Sequence, residues 1–152
     1  MVLSAIIRSA EEKDLSRIQR IEVSSYIDPW PKSIFYLIFR RSPELFLVAE
    51  DNNEVFGYAI GEIEEAGEKF VGHVVNLAID NAWKRRGFGL RLLDELERRF
   101  LDHGAYLSYL EVRVRNIPAQ SLYSKRGYEV TKILVDYYRD EDGKHMEKLL
   151  KR

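Results

Sequence analysis

His73-Val74-Val75-Asn76-Leu77-Ala78-Ile79-Asp80 runs, after a short connection, into Lys84-Arg85-Arg86-Gly87-Phe88-Gly89-Leu90, and this junction decides the fold. The first segment is a β-branched and apolar run closed by a polar residue, the pattern of a buried strand. The second opens an amphipathic helix with Leu93, Leu96 and Phe100 at helical spacing. That helix stops at Gly104, a residue suited to the left-handed position after a helix end. Three cations and two glycines therefore sit where a strand turns into a helix. The helix dipole already places positive partial charge at that point, so cations are disfavoured there unless an anion relieves the conflict. Glycines let backbone N–H groups approach such an anion, and a phosphate or pyrophosphate is the simplest candidate. The same residues could instead form a solvated basic turn neutralised by bulk ions.

Two familiar phosphate motifs are excluded. A dinucleotide fingerprint needs glycine where Leu92 stands. A P-loop needs Gly-Lys-Ser/Thr, but Gly89 is followed by Leu90 and Arg91.

Outward from the junction, the chain alternates strands and helices. Ala5 to Ile7 reads as a first strand, and Leu15, Ile18 and Ile21 mark one face of a first helix. Asp28-Pro29-Trp30-Pro31 breaks that pattern, and Pro31 suits the first turn of a second helix ending at Arg40. Leu45 to Glu50 and Val55 to Ile63 form a hairpin about Asp51-Asn52-Asn53. Glu64 to Lys69 reads as an acidic loop. Beyond the long helix, Leu107 to Val114 is a strand with Leu110, Val112 and Val114 on one face and Glu111, Arg113 and Arg115 on the other. A short helix follows from Asn116-Ile117-Pro118 to Gly127. Tyr128 to Val135 and His145 to Leu150 close the chain about a turn at Asp140-Glu141-Asp142-Gly143. The order β-α-α-β-β-β-α-β-α-β-β implies a mixed α/β (α+β) domain. Its sheet is mostly antiparallel, with about seven strands and about four helices on both faces.

The composition narrows the function. At 152 residues, with no linker or repeat, residues 1–152 fit one domain. Lys and Arg number 24 against 25 Asp and Glu, and this balance gives no reason to expect nucleic acid as a partner. Cysteine is absent, which removes disulfides, thiolate metal ligands and a cysteine nucleophile. His73, His103 and His145 lack metal-ligand spacing and read as structural or exposed, so no metal is expected. The longest apolar run, Ile34 to Phe39, is far below membrane-spanning length, and a cytoplasmic protein without membrane partners is expected.

This order, with these residues in it, resembles the GNAT superfamily of acyl-CoA-dependent N-acetyltransferases over nearly the whole chain. The similarity is greatest to the N-terminal protein acetyltransferases, the ribosomal-protein-alanine (RimI) type and its archaeal relatives. It is carried by Gly72 to Ile79, Lys84 to Leu90, Leu110-Glu111-Val112-Arg113-Val114-Arg115-Asn116, Pro118-Ala119-Gln120-Ser121-Leu122-Tyr123 through Gly127-Tyr128, and Tyr137-Tyr138. One departure is Lys84, where the family's pyrophosphate motif usually begins with Gln or Arg.

The resemblance implies acetyl-CoA as co-substrate. It implies that Arg85, Arg86, Gly87, Phe88, Gly89 and Leu90 cradle the pyrophosphate. Leu77, Ala78 and Ile79 would offer backbone groups to the pantetheine and acetyl carbonyl, and a bulge in their strand would splay it from the next and open a slot. Asn116 would hydrogen-bond the cofactor arm, or cap the helix at Pro118, or both. Glu111 is the implied general base and Tyr123, beside the cofactor, the implied general acid. Read alone, Glu111 is more simply a solvent-facing partner of Arg113 or of a neighbouring strand, and Tyr123 a core aromatic packing the short helix. Tyr26, Trp30, Tyr137 and Tyr138 would line the acceptor site from two loops. The acceptor implied is a protein or peptide N-terminus, ribosomal or other cytosolic proteins among them. Acetylation of lysine or a small amine, and a non-catalytic acetyl-CoA sensor, are the alternatives.

Overall fold

The computed structural model describes residues 4–151. Met1 to Leu3 and Arg152, which end the expected domain range, lie outside them. The strands are β1 (Ile6–Ser9), β2 (Phe46–Asp51), β3 (Glu54–Ala66), β4 (Lys69–Ile79), β5 (Ala105–Arg113), β6 (Glu129–Tyr138) and β7 (Glu141–Leu149). The helices are α1 (Leu15–Ser25), α2 (Lys32–Arg41), α3 (Phe88–Asp102) and α4 (Ile117–Lys125). The strands form one sheet in the order β1-β2-β3-β4-β5-β7-β6. Among the described residues β4 and β5 run parallel and the other neighbours are antiparallel.

The run Phe46-Leu47-Val48-Ala49 explains the layering. It is apolar at every position because both faces of the sheet are covered there. Phe46 and Val48 join Leu15, Ile18, Ile21, Phe35 and Tyr58 beneath α1 and α2. Leu47 and Ala49 join Leu92, Leu93, Leu96 and Phe100 of α3 on the opposite face. A Cβ built at Gly72 or Gly61 would lie within 2.5 Å of the Phe100 ring, so these glycines let α3 press against the sheet. Gly104 has φ 88° and ends the segment after α3, as its place in the sequence implies.

The boundaries differ from the sequence reading at several places. The first strand covers Ile6–Ser9 rather than starting at Ala5. The segment expected as a loop, Glu64 to Lys69, is mostly ladder. Glu65 pairs with Phe70 and Ala66 with Lys69, so Gly67, with φ 68°, and Glu68 suffice for the turn. Glu141, Asp142 and Gly143 likewise belong to β7, because Gly143 pairs with both Arg113 and Leu134. Tyr137 and Tyr138 end β6 rather than sit in a loop. The strand is irregular just before them, where Asp136 has φ 53° and its N–H donates to Asp142 Oδ1 at 2.8 Å.

Candidate active site

The site is made by a fault in the sheet. Ile60 pairs with Asn76 but Gly61 pairs with Val74, so Val75 is an extra residue in β4. A bulge bends its strand and increases the twist. The β4–β5 ladder accordingly stops at His73 and Tyr109, and the segment from Val74 to Ile79 keeps only β3 as a partner. One backbone edge of Leu77, Ala78 and Ile79 is left facing the gap. The Leu77 carbonyl is already taken: the Tyr26 hydroxyl, at the end of α1, donates to it.

At the far end of β4 the chain forms an anion cradle. Arg85 has φ 66° and Gly87 φ 84°, two left-handed residues in three. Left-handed residues turn successive N–H groups towards a common point. The first intrahelical bond at the head of α3 runs from Arg91 N to Gly87 O at 3.1 Å, so the N–H groups of Phe88, Gly89 and Leu90 have no partner within the helix. The Phe88 side chain is buried and packs at 4.7 Å from the Phe56 ring, so only its backbone faces the cradle. Trp83 fastens the loop by stacking on Phe56 at 4.0 Å, and the Arg86 guanidinium lies 5.1 Å from the Trp83 ring centre. Behind it, the carboxylate of Asp80 accepts from Arg17 of α1. Partial burial works against the Asp80 charge, but this bond, the Arg17 charge and the backbone N–H groups of Ala82 and Asn81 together outweigh it and hold the carboxyl below its ordinary range.

Beside the fault, acid–base groups gather. His73 Nε2 lies 2.7 Å from Glu111 Oε1, and His73 Nδ1 lies 3.3 Å from Glu64 Oε2. Burial disfavours the imidazolium, but the bond to Glu111 and the charges of Glu111, Glu64 and Glu62 outweigh it, so His73 protonates above the ordinary histidine range. Its ring is held flat on Tyr109 at 4.3 Å, and Tyr109 stacks on His145 at 5.1 Å. Glu62, Glu64 and His73 offer ligand atoms within 4.8 Å of one another. Each is engaged, Glu62 by Arg41, Glu64 by the Tyr109 hydroxyl, and His73 by Glu111.

Tyr123 reaches the cleft from α4. Its ring belongs to the core beneath α3 and meets Tyr128 edge-on at 5.8 Å. Burial pushes its hydroxyl up to about 12. No hydrogen-bond partner meets that hydroxyl among the described residues. Asn116 caps α4 by accepting from Ala119 N at 3.2 Å.

Two segments flank the gap: the α1–α2 connection, through Tyr26 on the Leu77 carbonyl, and the end of the β6–β7 hairpin, through Tyr138 near Glu111. Glu22 fixes the first wall. Its buried carboxylate accepts from the Tyr58 hydroxyl, from Asn76 Nδ2 at 2.8 Å and from Trp30 N at 2.9 Å. Trp30 packs against Phe35 at 5.5 Å, which makes it the anchor of that connection. In the second wall Tyr137 and Tyr138 meet edge-on at 5.0 Å, and Tyr137 is half exposed. Burial is the main force raising the Tyr138 hydroxyl, with Tyr137, Glu111 and Tyr123 adding to it. Tyr26 is raised first by burial and then by Tyr123, Glu22 and Tyr138. Tyr138 thus lies within electrostatic reach of Glu111, Tyr123 and Tyr26, and Tyr26 within reach of Tyr123.

A family model for the acetyltransferase (GNAT) family matches residues 15–128. The chain belongs to the GNAT acetyltransferase family. It is similar to an uncharacterized N-acetyltransferase of Methanocaldococcus jannaschii, 34% identical over 149 residues that cover 97% of this chain and 91% of that protein. It is also similar to an N-alpha-acetyltransferase of Sulfurisphaera tokodaii, 32% identical over 149 residues, covering 92% and 89%. The crystal structure of Chaetomium thermophilum Naa20 in complex with a bisubstrate analogue matches with a TM-score of 0.88 at 25% identity, covering 97% of this chain and 87% of that one. GNAT enzymes use acetyl-CoA as donor, and the cradle at 84–90 has the free N–H groups and cations that its pyrophosphate needs.

Two site features of this GNAT chain escape the sequence reading. His73, read as structural or exposed, stands against Glu111. Because Val75 is an extra residue, alternation counted along β4 gives no reliable face for His73. Glu22 could have been found, since it follows Ile18 by four residues and Leu15 by seven and so lies on the buried stripe of α1. Arg113 is a partner of Asp140 and Glu141 rather than of Glu111.

Proposed function

We propose that this GNAT enzyme transfers the acetyl group of acetyl-CoA to the α-amino group of protein N-termini. The observation that carries the reading is that Glu111, held by His73, and Tyr26, held on the Leu77 carbonyl, stand where β4 leaves β5, with Tyr138 in reach of Glu111, Tyr123 and Tyr26. The names of its relatives and the Naa20 structure with a bisubstrate analogue support it. Glu111, oriented by His73, takes a proton from the incoming ammonium. Tyr123, protonated at neutral pH, supplies a proton to the departing sulfur as the C–N bond forms and the C–S bond breaks, and the second proton shed by the acylated nitrogen, directly or through solvent, restores the phenol. Arg85, Arg86, Gly87 and the N–H groups of Phe88, Gly89 and Leu90 hold the pyrophosphate. The backbone of Ala78 and Ile79, with the one edge of Leu77 that Tyr26 leaves free, and the Asn116 amide hold the pantetheine arm. Acetyl-CoA supplies the activated acyl group.

An N-terminal amine, with a pKa of about 8 against about 10.4 for lysine, is far more often neutral at pH 7. Tyr26 and Trp30 on one side and Tyr137 and Tyr138 on the other make a slot that fits a chain end better than a lysine flanked by backbone on both sides. The reading takes residues 1–152 as one acetyltransferase domain and extends to ribosomal and other cytosolic acceptors, as the resemblance implies. It places the reaction in the cytoplasm; among the described residues no helix is long and apolar enough to cross a membrane.

The test compares a peptide with a free N-terminus against the same peptide blocked there and carrying an internal lysine, read by mass spectrometry. The free peptide is expected to gain one acetyl group at its first residue. Equal reaction of the blocked peptide would assign the enzyme to lysine instead.

A further inference from the structure

Arg113 follows Glu111 by two residues and lies on the same open face of β5. Its one guanidinium touches both walls of the acceptor slot. Nη1 donates to Asp140 Oδ1 at 2.6 Å and to Glu141 Oε1 at 3.0 Å, in and beside the β6–β7 turn. The guanidinium carbon lies 4.4 Å from the Tyr138 ring centre. On the other side, Nη2 lies 3.9 Å from Asp28 Oδ2, in the α1–α2 connection between Tyr26 and Trp30.

These contacts are unequal. Glu141 is nearly buried, with its side chain 7% exposed, and its second oxygen accepts from Arg115 N at 3.1 Å, which ties the turn to the end of β5. Asp140 is held below the ordinary carboxyl range, first by its bond to Arg113. Asp28 is 65% exposed and stands at the limit of ion-pair distance, where solvent competes well. A guanidinium offers five donors in a rigid fork, so it can hold the turn with one edge while the other reaches across. Without it, Asp28, Asp140 and Glu141 would face one another as three carboxylates at the mouth of the slot.

We propose that Arg113 is a positioning residue that sets the width of the acceptor slot, holding the β6–β7 wall firmly and the α1–α2 wall by a contact that yields when a peptide enters. The proposal deepens the acceptor reading above and rests on it. The firm side keeps Tyr138 in place beneath the guanidinium. The weak side lets the Asp28 stretch between Tyr26 and Trp30 move, while Tyr26 stays on the Leu77 carbonyl and Trp30 N on Glu22.

The test uses the full chain and the variants Arg113→Gln, Arg113→Lys and Asp28→Asn. With a free N-terminal peptide, Arg113→Gln is expected to raise the peptide KM about tenfold, with kcat and the KM for acetyl-CoA held within about twofold. Arg113→Lys is expected to recover part of that loss, and Asp28→Asn to change KM by less than about threefold. Hydrogen exchange without substrate supplies an independent arm. Arg113→Gln should speed exchange in residues 26–31 and 136–142 together, leaving α3 protected, whereas Asp28→Asn should affect only the first segment. A fall in kcat at constant peptide KM would overturn the proposal, as would unchanged exchange in either wall. If Arg113→Gln fails to fold, Asp140→Asn replaces it, with faster exchange expected in 136–142 and unchanged exchange there counting against the proposal. If the wild type acetylates no peptide, the acceptor reading fails, and the exchange arm still decides what Arg113 holds.

Discussion

The two ends of the cleft are held by different means. At the proposed nucleotide end, Lys84 to Leu90 makes a cradle from seven consecutive residues, whose proposed holding groups are backbone N–H donors set by the left-handed Arg85 and Gly87. At the proposed acceptor end, the groups are side chains drawn from α1 and its end, β4, β5, α4 and β6, namely Glu22, Tyr26, His73, Glu111, Tyr123 and Tyr138. Only a few groups belong to both, chiefly the free edge of β4. A cradle of backbone donors loses little when one side chain is cut, because the donors remain. A network of buried side chains loses more, because each removal strands a partner. Binding of the donor should therefore be robust and turnover fragile.

The sharpest way to break this contrast is Tyr123→Phe. The hydroxyl has no partner among the described residues, so its loss should leave the fold and acetyl-CoA affinity intact. The kcat should fall by about 10²-fold or more. Wild-type turnover in a folded Tyr123→Phe protein would leave Tyr123 as a core aromatic only.

A smaller effect is expected from Glu22→Gln. The carboxylate accepts from Tyr58, Asn76 and Trp30 N, and an amide can present its oxygen to only one side. One buried donor is left facing a donor, at a cost of about 1–3 kcal/mol. At this chain length that is a fall in Tm of roughly 2–4 °C per kcal/mol, read by calorimetry. The peptide KM should rise as the α1–α2 connection loosens, while acetyl-CoA binding holds. Equal damage to both substrates would erase the distinction between the two ends.

At the nucleotide end, Arg85→Ala or Arg86→Ala should weaken acetyl-CoA binding by only a few-fold, since both side chains are exposed and solvent screens them. Arg85→Gly should be milder still, because glycine takes the left-handed backbone without strain. Titration calorimetry distinguishes these from a loss of about 10²-fold, which would make the cations rather than the backbone the main holders.

The smallest expected effect is on stability against pH. His73 is raised in the folded chain, so the fold favours its charged form. Its contribution is fully present below the unfolded histidine pKa of about 6.5 and is lost as pH rises through the higher folded value. Replacing His73 with Gln should remove that part of the slope in Tm between pH 6 and 8. An unchanged slope would show that His73 does not sense Glu111 and Glu64.

The same contrast explains what could be read from the sequence. The fold was legible because burial on two faces writes continuous runs such as Phe46 to Ala49, and one-sided burial writes alternation such as Leu110 and Val112 against Glu111 and Arg113. The cradle was legible because its residues are consecutive. Glu111 and Tyr123 stood out only through resemblance, since a Glu on a polar face and a Tyr in a short helix have commoner explanations. His73 was hidden by the extra residue Val75, and of the two partners open to Glu111 the structure has the neighbouring strand, because Arg113 is taken by Asp140 and Glu141, some 27 residues away along the chain.

The central claim is that Glu111, held by His73, takes the proton from the acceptor ammonium. It is tested most directly by the pH dependence of kcat/KM for a free N-terminal peptide, measured for wild type and Glu111→Gln. In the wild type the rate should rise through a limb below the amine's own pKa, because the base lets the protonated amine react. In Glu111→Gln that limb should move up to about pH 8, where the amine loses its proton unaided, and the deficit should shrink as pH rises. A deficit of equal size at every pH, with the limb unmoved, would contradict the account and leave Glu111 as a structural partner of His73.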